Sequence, residues 1–228
     1  MPDKLKKNAV KYILFDLDGT LTDPGIGITN SVMYALRKMG ITPPAREELY
    51  SFIGPPLLAS FENYYHMSEA ESQQALVYYR EYFSETGLYE NTVYEGIPAL
   101  LSALMKRGIK VVLATSKPLL YSERILAHFD LYKYFHFCSG STMDEKRVKK
   151  AEVIAYALEN LGISKEEAAS CALMVGDRYH DVEGAHEIGI PCVGVLYGYG
   201  SEEEFRGCGA DHIVESVDAL RNFLLSGE

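Results

Sequence analysis

The sequence predicts an α/β fold, a doubly wound parallel sheet, with an all-helical domain inserted after the first strand. Short apolar runs rich in β-branched residues recur along the chain, helical patterns separate the later runs, and no strand-like run lies between the first one and Val93. Continuous apolar runs of this length suit strands that are covered on both faces. Strands that alternate with helices are typical of a parallel sheet with crossover helices.

The predicted strands share a short length and an apolar composition. They are Tyr12–Phe15, Ile109–Ala114, Phe135–Cys138, Cys171–Val175, Cys192–Leu196 and His212–Val214. Apolar residues at helical spacing follow several of these runs, as in Ile154, Leu158 and Leu161. The sequence therefore predicts a core domain made of residues 1–22 and 94–228.

Residues 23–93 are predicted to form the inserted helical domain. Its helices, separated by proline and glycine residues, are Ile28–Met39, Arg46–Phe52, Leu57–His66 and Ser68–Ser84. Ser68 and Glu71 have the spacing of a capping box. The connections Thr22–Gly27 and Thr86–Gly96 are interpreted as hinges, so we expect this domain to open for substrate and close over it.

The composition excludes some classes of function. The chain has 228 residues and a formal net charge of −10, which argues against binding nucleic acid. A phosphorylated small molecule remains compatible, because a few local cations can create a positive pocket on an acidic protein. The Met1–Lys7 segment is basic, but no long apolar stretch follows it. We therefore expect a cytoplasmic protein without a membrane partner.

Two pairs of aspartates follow predicted strands. Asp16 and Asp18 come directly after the first strand, with Gly19 available for a sharp turn, and Asp177 and Asp181 follow the fourth. Alone, the first pair is a plausible acidic turn and the second a plausible helix N-cap. Because carboxyl ends of parallel strands share one edge, the two pairs together predict a Mg²⁺ site.

Two further elements carry hydroxyl groups and positive charge. Thr115 and Ser116 follow the second strand of the core, and we expect a helix to start there, where free N–H groups can hold phosphoryl oxygens. A simple helix cap is the alternative. The basic run Lys146–Lys150 precedes an apolar helical pattern. A basic run of this kind usually forms a charged, solvent-exposed helix face.

In this order, the four elements resemble the haloacid dehalogenase-like superfamily. The resemblance covers essentially the whole chain, with Asp16–Asp23, Thr115, a lysine before Ala151 and the Gly176–Asp181 segment as its four motifs. The helical insert resembles a C1-type cap. Its Phe52–Leu57 segment is similar to an element of the phosphoglycolate phosphatase-like branch.

The resemblance implies a Mg²⁺-dependent phosphatase in which Asp16 is the nucleophile and Asp18 the general acid and base. It implies that Mg²⁺ is bound by the Asp16 carboxylate, the Asp18 carbonyl oxygen and Asp177. Asp181 would support the ion through water or a hydrogen bond to a ligand. The Thr115 hydroxyl, the Ser116 amide and a lysine would stabilise the phosphoryl oxygens.

Helical phase selects that lysine. Lys150 recurs with Ile154, Leu158 and Leu161 on one apolar face, which we expect to pack on the sheet. Lys149 aligns instead with Val153, Tyr156 and Asn160, a mixed face that we expect to be more peripheral. Lys150 is therefore the predicted catalytic and phosphate-binding lysine.

The predicted substrate is a small phosphomonoester, with phosphoglycolate first and a nucleoside 5'-monophosphate second, and the predicted state is a monomer or homodimer. A β-phosphoglucomutase-like phosphotransferase is the main alternative, although Pro24–Ile28 lacks that family's His-and-Arg pattern. A dehalogenase and a phosphate-binding regulator without turnover are weaker alternatives. The glycine-rich Gly194–Gly200 segment lacks the G-x-G-x-x-G spacing of a dinucleotide-binding oxidoreductase.

Overall fold

A computed structural model describes residues 10–226, so the basic Met1–Lys7 segment lies outside the described residues. Residues 10–21 and 93–226 form one compact unit, here called the core unit. Residues 22–92 form a second, helical unit. Both boundaries lie one residue before the positions predicted from the sequence.

The secondary structure alternates in the core unit and is helical in the other unit. In chain order the strands are β1 (Tyr12–Phe15), β2 (Thr22–Asp23), β3 (Thr92–Val93), β4 (Lys110–Pro118), β5 (Phe135–Ser141), β6 (Ala172–Gly176), β7 (Cys192–Val195) and β8 (His212–Val214). The α-helices are α1 (Gly25–Lys38), α2 (Leu57–Tyr65), α3 (Glu69–Tyr82), α4 (Ile97–Lys106), α5 (Leu119–His128), α6 (Lys150–Asn160), α7 (Lys165–Cys171), α8 (Tyr179–Ile188), α9 (Glu202–Cys208) and α10 (Val217–Leu225).

The core unit contains a parallel sheet of six strands in the order β5-β4-β1-β6-β7-β8. The predicted fold class is therefore confirmed. Ile13, Leu14 and Phe15 of β1 are all almost completely buried. Successive side chains of a strand point to opposite faces, so the sheet is covered on both. Leu14 belongs to a hydrophobic cluster that includes residues of α6, α7 and α8. Helices α4 and α5 pack on β4.

The order of the strands reverses at β1. The chain runs outward from β1 through β4 to β5, and it returns on the other side of β1 through β6, β7 and β8. In open α/β sheets of this kind, ligands bind beyond the carboxyl ends of the strands at such a reversal. A ligand site is therefore expected at the residues that follow β1 and β6 and at the carboxyl end of β4.

The helical unit is built from α1, α2 and α3 with additional short turns. Arg46–Phe52, predicted to be helical, is a 3₁₀-helix, and α3 continues into a π-helical turn at Phe83–Gly87. The predicted capping box is present, since Ser68 Oγ accepts from the Glu71 N–H and the Glu71 side chain accepts from the Ser68 N–H. Its aromatic residues mostly pack together, as in the edge-to-face pair of Phe52 and Phe61.

None of the helices in residues 10–226 is both long enough and apolar enough to cross a membrane.

Candidate active site

Asp16 and Asp18 lie in a tight turn that follows β1. Asp16 is buried, and its Oδ1 accepts a hydrogen bond of 2.8 Å from the N–H of Leu17. The Leu17 carbonyl oxygen accepts from the N–H groups of Thr20 and Leu21, which closes the turn. Gly19 has a φ of 80°, a value that L side chains rarely adopt. The turn therefore holds both carboxylates at the carboxyl edge of the central strand.

Asp177 and Asp181 follow β6, the neighbour of β1. Asp177 comes directly after the strand, and Asp181 lies in the first turn of α8, where its Oδ2 accepts from the N–H of Arg178 at 3.1 Å. Both side chains are almost completely buried. Carboxylate oxygens of Asp16, Asp177 and Asp181 lie within 4.8 Å of one another. The structure thus brings together three of the four predicted aspartates in one cluster.

Lys150 connects this cluster. It is the first residue of α6, and its Nζ lies 2.9 Å from Asp16 Oδ1 and 2.8 Å from Asp181 Oδ1. Nζ also donates to the carbonyl oxygen of Ala114 at 3.1 Å. The preceding residue, Lys149, is exposed to solvent. Lys150 is therefore held by β1, β4 and α8 at once.

The face of α6 that was predicted to be peripheral is only partly so, since Lys149 and Asn160 are exposed and Tyr156 is half-buried. Val153, placed on the peripheral face with Lys149, is fully buried. The reason is that α6 packs against β4, β5 and α8, so more of its circumference is covered than one apolar stripe.

Lys117 is a charged site residue that the sequence reasoning missed. Its Nζ lies 2.6 Å from Asp18 Oδ2, and the side chains are 7% and 12% exposed. The helix expected after the hydroxyl pair is present, but it begins only at Leu119, because β4 continues to Pro118. In an extended chain Thr115 and Lys117 share a side. That spacing was the available signal.

Thr115 and Ser116 lie in an irregular part of β4. The pairing with β5 passes from Ala114–Ser139 to Pro118–Ser141, so three residues of β4 face Gly140 alone. Bulges of this type re-aim side chains and are frequent beside active sites. Thr115 is buried, and its Oγ1 accepts from the N–H of Lys117 at 3.3 Å. Thr115 and Ser116 are the two residues after Ala114, whose carbonyl oxygen accepts a hydrogen bond from Lys150 Nζ.

Burial and the neighbouring charges together determine the electrostatics of the site. Burial raises the pKa of Asp18, an effect that Lys117 opposes. It also raises the pKa of Asp177, and the charges of Asp181 and Asp16 add to this. For Lys150, burial disfavours the ammonium, but Asp16 and Asp181 outweigh it and raise the pKa. The cluster therefore concentrates negative charge in a region of low dielectric.

A divalent cation fits this cluster. Lys150 pairs with Asp16 and Asp181, whereas Asp177, the third buried carboxylate of the cluster, has no ion pair with it. Carboxylate oxygens are hard ligands, the kind that Mg²⁺ prefers together with water and phosphate oxygens. The three aspartates could therefore bind a metal, while Lys150 pairs with Asp16 and Lys117 with Asp18.

The fold and the site define a class of enzyme, a phosphatase acting on phosphoric monoesters, because carboxylates and buried cations at a sheet switch point suit phosphoryl chemistry. The haloacid dehalogenase-like hydrolase family matches residues 13–195, and the chain belongs to this family. The predicted family is thus confirmed.

Named relatives extend over nearly the whole chain. A 5'-nucleotidase of Pseudomonas aeruginosa is 46% identical over 224 residues, covering 97% of this chain and all of that protein. Tyrosine-protein kinase PtkA of Mycobacterium tuberculosis is 39% identical over 83% of this chain and 63% of its own length. Phosphoglycolate phosphatases are also similar, with 26% identity for that of Pseudomonas putida over 92% of this chain and 78% of that protein.

A solved structure from Clostridium acetobutylicum, described as that of a predicted phosphatase, has the same fold. It superposes with a TM-score of 0.91 at 47% identity, and the match covers 96% of this chain and 99% of the other.

Proposed function

We propose that this chain is a Mg²⁺-dependent phosphatase that hydrolyses nucleoside 5'-monophosphates through an aspartyl-phosphate on Asp16. The observation that carries the proposal is the buried carboxylate cluster bridged by Lys150. The sequence favoured phosphoglycolate as substrate. The 46% identity to a 5'-nucleotidase, against 26% to a phosphoglycolate phosphatase, reverses that order.

Asp16, Asp177 and Asp181 would hold the Mg²⁺, together with the carbonyl oxygen of Asp18. When bound, the ion supplies positive charge that offsets the repulsion between an anionic nucleophile and an anionic substrate. The close approach of three buried carboxylates supports this assignment.

In the first step the Asp16 carboxylate attacks phosphorus in line with the ester oxygen. A bond forms between Asp16 and phosphorus, the bond from phosphorus to the ester oxygen breaks, and Asp18 gives its proton to the leaving alcohol. Asp18 suits this role, because it lies in the same turn and its buried Oδ1 accepts no hydrogen bond in the described structure. Lys117, paired with Asp18 Oδ2, fixes the orientation of the carboxyl group.

In the second step water attacks the phosphorus of the aspartyl-phosphate. Asp18 takes a proton from that water, the bond between Asp16 and phosphorus breaks, and inorganic phosphate leaves. Lys150, the Thr115 hydroxyl and the Ser116 amide stabilise the charge on the phosphoryl oxygens during both steps. Their placement on β4 and α6, beside Asp16, supports these roles.

A second candidate function is transfer of the phosphoryl group to an acceptor other than water, which the kinase name of one relative favours. The two functions differ in product. Hydrolysis releases inorganic phosphate in equal amount to the nucleoside, whereas transfer releases nucleoside without matching phosphate.

The test is release of phosphate and nucleoside from a panel of nucleoside 5'-monophosphates and phosphoglycolate. We expect the highest kcat/KM with a nucleoside monophosphate, no turnover when Mg²⁺ is chelated, and almost none in Asp16→Asn, because an amide does not form the acyl-phosphate. The exposed Asp218→Asn in α10 is the matched control and should behave as wild type. If Asp16→Asn keeps a tenth of the wild-type turnover, Asp16 is not the nucleophile.

A further inference from the structure

The loop at residues 196–200, here called the 196–200 loop, follows β7 and has the sequence Leu-Tyr-Gly-Tyr-Gly. It belongs to the glycine-rich segment that lacks dinucleotide-binding spacing, and no step of the proposed reaction uses it. Its contacts nevertheless lead to the carboxylate cluster.

The loop makes two hydrogen bonds to the site. The backbone N–H of Tyr199 donates to Asp177 Oδ2 at 2.9 Å. The hydroxyl of Tyr197 donates to the carbonyl oxygen of Thr20 at 3.0 Å, in the turn that carries Asp18. The Thr20 hydroxyl in turn donates to Asp177 Oδ1 at 3.4 Å. Both oxygens of Asp177 are therefore oriented, one by the loop and one by a turn that the loop holds.

Glycine lets the loop approach the site this closely. A Cβ atom on Gly198 would lie 2.3 Å from the carbonyl oxygen of Gly19 and 2.4 Å from Asp177 Cβ. A Cβ on Gly200 would lie 2.1 Å from the carbonyl oxygen of Asp177. Real Cβ atoms essentially never come so near, so an alanine at either position must displace the backbone of the site.

The ring of Tyr197 is itself fixed. It packs edge-to-face against Tyr94, with centroids 5.0 Å apart. Aromatic pairs of this geometry are favourable beyond their buried area. The packing of the ring therefore fixes the position of the Tyr197 hydroxyl beside the carbonyl oxygen of Thr20.

We propose that the 196–200 loop is a positioning element, in which Tyr197 and the Tyr199 N–H hold Asp177 and the Asp18 turn in the orientation that binds the metal. The inference rests on the proposed function, because it takes Asp177 as a Mg²⁺ ligand. Groups that orient metal ligands typically contribute ten- to hundredfold to metal affinity.

The test is calorimetric titration of the metal-free protein with Mg²⁺ alone, so that turnover is not the readout. We expect Gly198→Ala to weaken Mg²⁺ binding by about tenfold or more. Tyr197→Phe, which keeps the ring and removes only the hydroxyl, should weaken binding by about three- to tenfold. Gly207→Ala in α9 is the matched control, since its added Cβ would have nothing within 4 Å beyond its chain neighbours and the backbone of its own helix. Its affinity should equal that of wild type.

The results separate the positioning role of the 196–200 loop from the proposed Mg²⁺ dependence of the enzyme. If the wild type binds Mg²⁺ and both Gly198→Ala and Tyr197→Phe bind it equally well, the loop only closes β7 and the inference is overturned. If Gly198→Ala does not fold, the affinity of Tyr197→Phe decides alone. If the wild type binds no Mg²⁺ and hydrolyses phosphomonoesters in the presence of a chelator, the magnesium proposal and the inference both fall.

Discussion

Lys150 faces two buried carboxylates, and this determines what its removal does. Its ammonium lies within ion-pair distance of Asp16 and Asp181, and its side chain is 4% exposed. Removing one partner of a buried ion pair leaves a charge without compensation in a medium of low dielectric. The adjacent Lys149 is exposed, so its charge interacts mainly with solvent. Substitution of Lys149 is therefore a matched control for substitution of Lys150.

We expect Lys150→Ala to lower kcat by about a hundredfold or more, the typical effect of losing a preorganised charge donor. Lys149→Ala should lower it by a few-fold at most. Steady-state kinetics at saturating Mg²⁺ measures both, and a thermal melt of Lys150→Ala verifies that the protein still folds. A larger loss in Lys149→Ala would contradict the placement of Lys150 at the phosphate.

The aspartates and Lys150 could be identified from the sequence because each follows or begins an apolar element whose period is clear. Lys117 could not, because Thr115–Pro118 is polar and ends in proline, a pattern that indicates the end of a strand. The structure keeps these residues extended through an irregular pairing with β5. Tertiary pairing of this type overrides local propensity, so the two-residue spacing of Thr115 and Lys117 is informative only once the strand is known to continue.

Among the elements, α3 shows how a local signal fixes a helix end. Ser68 and Glu71 satisfy each other's backbone N–H groups at the start of this helix. The first N–H groups of a helix have no partner within it, so a side-chain acceptor there stabilises the whole element.

Ser68→Ala should therefore lower the free energy of unfolding of the helical unit by about 1 kcal/mol. Urea denaturation followed by circular dichroism measures the change. Gln73→Ala, at an exposed position of the same helix, is the control and should change it by less than about 0.5 kcal/mol. Equal effects of the two substitutions would show that the cap does not contribute.

At the scale of the whole molecule, the residues proposed for the chemistry all belong to the core unit. Of the four motifs, the helical unit, residues 22–92, contains only Thr22 and Asp23, the last two residues of the first. If it acts as a cap, as the sequence predicts, its side chains would select the substrate while the core unit carries out the reaction. Fold alone does not identify which side chains do so.

Leu57, half-buried at the start of α2, lies in the segment predicted to influence selectivity. We expect Leu57→Ala to change the ratio of kcat/KM for a nucleoside 5'-monophosphate to that for phosphoglycolate by about tenfold, the usual effect of altering one apolar contact. The Mg²⁺ requirement should stay unchanged. Val77→Ala, at an exposed position of α3, should leave the ratio unaltered. An unchanged ratio in both variants would remove this segment from substrate selection.

The pairing of β1 also affects how the protein is made. Tyr12 lies opposite Lys110 on one side and Ala172 on the other, so the central strand leaves the ribosome long before either neighbour exists. Such distant pairings are slow to form, whereas residues 22–92 are contiguous and do not depend on them. We expect the inserted unit to fold first during synthesis. The apolar residues of β1 then remain unpaired until β4 and β6 have been synthesised. Asp16 can approach Asp177 and Asp181 only after β6 and the start of α8 have been translated.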